Sequence, residues 1–311
     1  MRILVPGYYH KFKCIADRCK HNCCIGWEID IDSDTAEYYK NIPAPFGDKI
    51  RSNIDLDCEC PHFVLKAGER CPFLEKDGLC EIIKDLGEDA LCDICTDHPR
   101  FRNFYSDFEE LGLGLCCEEA GRVILSSNDP FSLVPLDENI DLSFDDEEKE
   151  MFDKRSFLFS IASDRSLDVY SRLEKLASVY CFDIKELYPH KQKELFLSLE
   201  RLDESWTQIL SDIKECDIPP KILSHNEFSV PFEQLLCYFL FRHFADGLDD
   251  GLYCERVKMC VSSVLLIAHL CDLRFEKNGF LDFFELCELV RMFSSEIEYS
   301  DENLETIFNS L

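Results

Sequence analysis

The residues with most chemistry to offer are cysteines. Nineteen occur in 311 residues, and twelve fall at positions 14, 19, 23, 24, 58, 60, 71, 80, 92, 95, 116 and 117. The run opens as Cys14-x4-Cys19-x3-Cys23-Cys24 and continues with Cys71-Pro72-Phe73-Leu74, Cys80, Cys92-x2-Cys95 and the pair Cys116-Cys117. Thiolates three to five residues apart can converge on one metal centre, because a loop or a single helical turn brings them to one side. Structural zinc takes four nitrogen or sulfur ligands, usually as two close pairs, and one clean pair is present. An iron–sulfur cluster tolerates varied spacings, and a proline directly after a cysteine, as at Cys60-Pro61 and Cys71-Pro72, occurs in one iron–sulfur motif. Spacing favours iron–sulfur slightly and keeps zinc as the alternative. The candidate ligands are Cys14, Cys19, Cys23, Cys24, Cys71, Cys80, Cys92, Cys95, Cys116 and Cys117, with Cys58 and Cys60 ranked below them. His21 and His98 lie close enough in sequence to ligate or to donate to a sulfur, the second role being the commoner one.

The other seven cysteines, at 181, 216, 237, 254, 260, 271 and 287, form no compact set and read as small buried hydrophobes. An odd cysteine count in a chain without a secretory signal argues against a complete disulfide framework. No stretch approaches the ~20 apolar residues of a membrane span, and a cytoplasmic location is expected. Thirty-three basic against 62 acidic residues give a formal charge of -29, which repels a polyanion and excludes nucleic acid as a partner class. Several catalytic signatures are missing. Gly112-Leu113-Gly114 lacks the third glycine of a dinucleotide fingerprint because Cys117 stands there, and no P-loop, HExxH helix or GxSxG elbow occurs. Cys19-x3-Cys23 begins the CxxxCxxC spacing of radical S-adenosylmethionine chemistry, but Gly26 takes the third place.

These residues need elements to hold them. Residues 1–128 carry short apolar runs among many Gly, Pro and Cys, so their order is expected to depend on something other than a hydrophobic core. Residues 129–150 read as an acidic linker, with eight acidic and one basic side chain from 137 on and a helix starting near Glu147. Residues 151–311 show apolar positions at helical spacing in blocks near 148–164, 166–181, 190–214, 231–247, 252–277, 280–298 and 301–310. The fold expected is mainly α: a cysteine-rich, metal-stabilised N-terminal domain with little β structure, then an all-α domain. Leu235, Leu236, Phe239 and Leu240 make one core stripe, and Val264, Leu265, Ala268 and Cys271 another. Ser300 is placed to cap a short terminal helix.

The string Tyr8-Tyr9-His10-Lys11-Phe12-Lys13-Cys14 through Cys19 and Cys23-Cys24-Ile25-Gly26-Trp27 resembles the opening of the flagellin lysine-N-methylase family. Cys71-Pro72-Phe73-Leu74, Gly87-Glu88-Asp89-Ala90-Leu91-Cys92, His98-Pro99-Arg100-Phe101 and Gly112-Leu113-Gly114-Leu115-Cys116-Cys117-Glu118-Glu119 follow in the same order. The segments Phe239–Phe244 and Glu296–Glu305 extend the likeness into the helical half. The cysteine-rich part is also similar to a zinc- or iron-chelating group named for a CxxCxxCC motif, although the spacing here is wider. The resemblance implies methyl transfer from S-adenosylmethionine to a lysine ε-amine, a protein substrate with surface lysines such as flagellin, and an iron–sulfur cluster, expected as 4Fe–4S. For that reaction Glu118, Glu119 and Tyr105 are candidate proton acceptors by their nearness to the cysteine motif alone. The other readings are a non-catalytic zinc- or iron-binding protein in metal handling or protein interaction, and an electron carrier.

Overall fold

The computed structural model describes residues 2–55, 60–136 and 142–311. Cys58 and residues 137–141 of the expected linker therefore lie outside the described residues. The chain divides into two compact units, one of residues 13–101 and one of residues 1–12 with 102–311. The cysteine-rich unit is thus an insertion in the helical one. The division falls at other places than the one at residue 128 suggested by composition, because residues 1–12 and 102–128 are claimed by strands and a helix of the larger unit.

The first strand is β1 (Ile3–Pro6), after which the chain enters the smaller unit. There α1 (Ser33–Asn41), α2 (Phe46–Arg51), β2 (Ile54–Asp55), β3 (His62–Phe63), α3 (Glu81–Leu86) and α4 (Asp93–Asp97) are all short. Asp32 holds two of them: one carboxylate oxygen accepts from Thr35 N–H at 2.8 Å to cap α1, and the other accepts from Asp93 N–H at 2.9 Å where α4 begins. Such bonds satisfy donors that have no partner inside a helix. Ile29, Ile31, Tyr39, Ile50, Phe63, Phe73 and Ile82 form the core, and Cys71 and Cys92 are buried among them. Phe63 meets Phe73 edge to face with centroids 5.0 Å apart, an arrangement aromatic quadrupoles favour.

β4 (Arg100–Phe104) begins in the smaller unit and ends in the larger one, where β5 (Glu109–Leu113), α5 (Glu118–Leu125) and β6 (Leu133–Pro135) follow. From there the elements are helical: α6 (Asp146–Ala162), α7 (Val169–Val179), α8 (Pro189–Ser198), α9 (Glu204–Ser211), α10 (Asn226–His243), α11 (Gly247–Asp250), α12 (Tyr253–Asn278), α13 (Phe283–Phe293) and α14 (Asp301–Ser310). The protein is mainly α. Its four-stranded sheet has the order β4-β5-β1-β6, with β1 parallel to β5 and antiparallel to β6. No helix among the described residues is long and apolar enough to cross a membrane.

Several local expectations meet the structure directly. Asp145 and Glu148 form a reciprocal capping box that starts α6, one residue before Glu147. Ser300 caps α14 by accepting from Asn303 N–H at 3.2 Å. The apolar block 190–214 is two helices, because Glu296 accepts from the N–H groups of Leu202 and Asp203 at 2.8 and 2.9 Å and Asp203 caps α9. The expected stripe on α10 is wider than a stripe. Phe232 through Phe241 are all buried, so α10 is the central helix, packed by α5, α6 and α12.

Candidate metal centre

Six cysteines of the inserted unit converge. Cys24 is within electrostatic reach of Cys23, Cys71 and Cys80, Cys80 of Cys23 and Cys92, and Cys95 of Cys92, Cys24 and Cys71. The backbone explains how residues so far apart in sequence meet. Gly26, at φ 94°, turns the chain so that its N–H reaches Glu69 O at 3.0 Å, and Cys71 N–H then reaches Cys24 O at 2.8 Å. A bridge pairs Leu74 with Cys80, and Glu81 N–H donates to Phe73 O at 2.9 Å. Cys92 and Cys95 are joined through one helical turn, Cys95 N–H donating to Cys92 O at 3.0 Å.

Backbone N–H groups two or three places after three of these cysteines act to lower their thiols, Phe73 and Leu74 for Cys71, Ile82 and Ile83 for Cys80, and Cys95 for Cys92, and such N–H groups favour the anionic thiolate that a metal binds. Burial works the other way: it pushes the Cys71 thiol up to about 11 and also raises Cys80. Two further pairs share their protons. The Cys24 thiol hydrogen-bonds to Cys23 and holds it down at about 7 while its own proton is retained, and Cys95 holds Cys92 down in the same way.

An all-sulfur set in which Cys71 and Cys92 are buried, Cys24, Cys80 and Cys95 half-buried and Cys23 exposed fits a thiolate-held metal group in its donor chemistry. Among the described residues no three thiols lie within 4.8 Å of one another.

The other predicted residues lie as follows. Cys14 is exposed and receives the Ala16 N–H at 3.4 Å, while Cys19 donates to His21 O at 3.2 Å. His98 stacks on Trp27, and burial pushes it down to about 4, so its imidazole is neutral at pH 7. Cys116 and Cys117 belong to the helical unit, in the turn between β5 and α5. Burial pushes the Cys116 thiol up to about 12. Cys237, Cys260, Cys271 and Cys287 are buried in helices, as their apolar neighbours suggested. Tyr105 donates to Glu110 at 2.8 Å and Glu119 pairs with Arg122 at 2.5 Å, so both have structural work. One cluster escaped the sequence reading: Glu28, Asp30 and His62 bring their ligand atoms within 4.8 Å. Glu28 and Asp30 are two apart on extended chain and His62 is the cross-strand partner of Asp30, so the alternation Glu-x-Asp was the only available signal.

A helical protein carrying an inserted, thiolate-rich unit is the class this geometry defines. Residues 198–311 match the model of the FliB lysine N-methylase C-terminal domain. The chain is 30% identical over 138 residues to the flagellar biosynthetic protein FliU of Salmonella muenchen, covering 41% of this chain and 79% of that protein. It is 31% identical over 137 residues to the lysine-N-methylase of Salmonella typhimurium and 30% identical over 142 residues to that of Salmonella choleraesuis, in each case 41% of this chain and 33% of the relative. The matched region thus spans a third of each of those two methylases. No solved structure matches. The chain belongs to the flagellin lysine N-methylase family.

Proposed function

We propose that this protein methylates lysine ε-amines of a protein substrate, flagellin, using S-adenosylmethionine, and that the inserted unit holds an iron–sulfur cluster. The observation that carries the reading is the family membership, which joins the helical unit to proteins named lysine-N-methylase. The cluster reading is supported by the six converging cysteines. Cys71, Cys80 and Cys92, which backbone N–H groups favour as thiolates, would hold the cluster, with Cys24 or Cys95 completing about four thiolates. When bound, the cluster supplies a redox-capable iron centre and a crosslink between distant parts of the unit.

The chain's own part in the chemistry is to gather and prepare cations. A net charge of -29 attracts both a sulfonium methyl donor and a lysine-rich surface. The lysine, with an ordinary pKa near ~10.4, must then lose its proton before its lone pair can attack.

Anaerobic purification with iron, zinc and acid-labile sulfide analysis, followed by transfer of labelled methyl from S-adenosylmethionine to flagellin, tests this reading. Matching iron and sulfide together with methylated lysine is the expected result. Stoichiometric zinc without methyl transfer would overturn it in favour of a non-catalytic metal protein.

A further inference from the structure

The inserted unit carries a second set of donors besides its thiols. Ile29, Ile31 and Phe63 belong to the core of the unit, each at most 2% exposed, so the strand alternation turns Glu28, Asp30 and His62 to the opposite, outer face. Two backbone hydrogen bonds fix their register: Ile31 N–H donates to Pro61 O at 2.7 Å and Phe63 N–H to Ile29 O at 3.1 Å. Asp30 and His62 are thereby a non-hydrogen-bonded antiparallel pair, the kind whose side chains stand closest. On its other flank His62 is paired with Asp55 across β2 and β3, and directly opposed residues share a face.

The imidazole is held in one sense. Its Nδ1 lies 3.2 Å from the Cys60 carbonyl oxygen, and since a carbonyl only accepts, Nδ1 carries the hydrogen. Nε2 is then the lone-pair nitrogen of the neutral ring, and it stands 3.6 Å from Glu28 Oε2. That separation is too long for an ordinary hydrogen bond and sets one electron-pair donor beside another. An Asp30 carboxylate oxygen completes a trio of ligand atoms within 4.8 Å of one another, and this carboxylate makes no hydrogen bond or ion pair with any described residue. An imidazole oriented through one nitrogen by a backbone carbonyl, with carboxylates gathered at the other, is the usual setting of a metal-bound histidine.

We propose that Glu28, Asp30 and His62 form a binding site for a divalent transition-metal ion, additional to the thiolate set and independent of the methylation reading. The donors select the class: imidazole nitrogen with carboxylate oxygen suits ions such as Zn²⁺ and Mn²⁺, whereas thiolates select softer centres. Two donors on one zinc ion at about 2.0–2.1 Å stand roughly 3.3 Å apart, and the 3.6 Å between Nε2 and Oε2 is close to that. Glu28 and Asp30 are exposed, so the outer side of the ion is left to water. Binding pins the segment of Glu28 and Asp30 to β3 from outside, as Ile29 and Ile31 hold it from inside.

The test uses Mn²⁺ as the probe, because its preference for oxygen donors keeps it off thiolates. Free aqueous Mn²⁺ is read by electron paramagnetic resonance as it is titrated into the full, anaerobically purified chain at neutral pH and about 0.15 M salt, where diffuse surface attraction is screened. Wild type is compared with His62→Gln, Asp30→Asn and Asp85→Asn, the last removing the same charge from an exposed position on α3. Expected are one Mn²⁺ held per chain by wild type and by Asp85→Asn alike, and a Kd at least about 10-fold higher in His62→Gln and Asp30→Asn, with the melting of the inserted unit in the absence of Mn²⁺ unchanged. Binding that weakens equally in Asp85→Asn belongs to a diffuse acidic surface, and binding that survives His62→Gln lies elsewhere; either result, or no stoichiometric binding by wild type, would overturn the assignment. If His62→Gln lowers the melting temperature of the unit, Asp30→Asn, whose carboxylate holds nothing else, decides alone.

Discussion

A thiol that shares its proton with a neighbour is poised to give that proton up to a metal, and Cys92 with Cys95 is such a pair at the buried centre of the inserted unit. Cys92→Ser replaces a soft donor by a hard one, so metal content should fall by half or more. Cys237→Ala, on a fully buried face of α10, should leave metal content unchanged and cost about 1 kcal/mol of stability. Elemental analysis beside a denaturant titration reads both, and equal metal in the two variants would refute the division between ligating and packing cysteines. Glu298 offers a second test at this scale. Although burial raises its pKa, Arg242 and His243 outweigh that and hold the carboxyl below its ordinary value. Its contribution to stability is therefore complete above the unfolded pKa of about 4.3 and is lost as pH falls through the lower, folded value. Glu298→Gln should flatten that acid limb, and should also destabilise the unit at neutral pH by leaving Arg242 without its carboxylate. An unchanged acid limb in urea melts from pH 5 to 2 would contradict this.

At the scale of elements, α2 carries a clear prediction. Replacing a helical glycine by alanine ordinarily stabilises by about 1 kcal/mol. At Gly47 a Cβ would stand 2.0 Å from the Ile42 carbonyl oxygen, a backbone atom that cannot step aside. Gly47→Ala should therefore destabilise the inserted unit by about 1–3 kcal/mol, readable as an earlier loss of its amide protection in hydrogen exchange. Elements of this kind also show what a sequence makes legible. The starts of α6 and α14 are written locally, in Asp145 with Glu148 and in Ser300, and could be read without any tertiary knowledge. The sheet could not. Its strands are three to five residues long, and β1 finds its parallel partner β5 about a hundred positions later. The same holds for the candidate sites. The cysteine spacing pointed to metal chemistry because the donor type itself is the signal, whereas His62 lies far along the chain from Glu28 and Asp30 and all three are individually ordinary.

For the whole molecule, two compact units imply two cooperative transitions, with only one containing the converging cysteines. Treatment with a chelator under reducing, anaerobic conditions should lower the melting temperature of one transition and leave the other within about 2 °C. A single transition that shifts as a whole would contradict that separation. The path of the chain determines how much the helical unit can feel. Departure follows β1 and return is through β4, the two strands that flank β5 in one sheet. If the inserted residues 13–101 lose their structure, they become a loop whose two ends are held by β1 and β4. Closing a loop of that length costs on the order of 4 kcal/mol, and the cost grows only logarithmically with length. Through that connection the burden passed to the helices is a bounded entropic one, whatever length of the insert unravels.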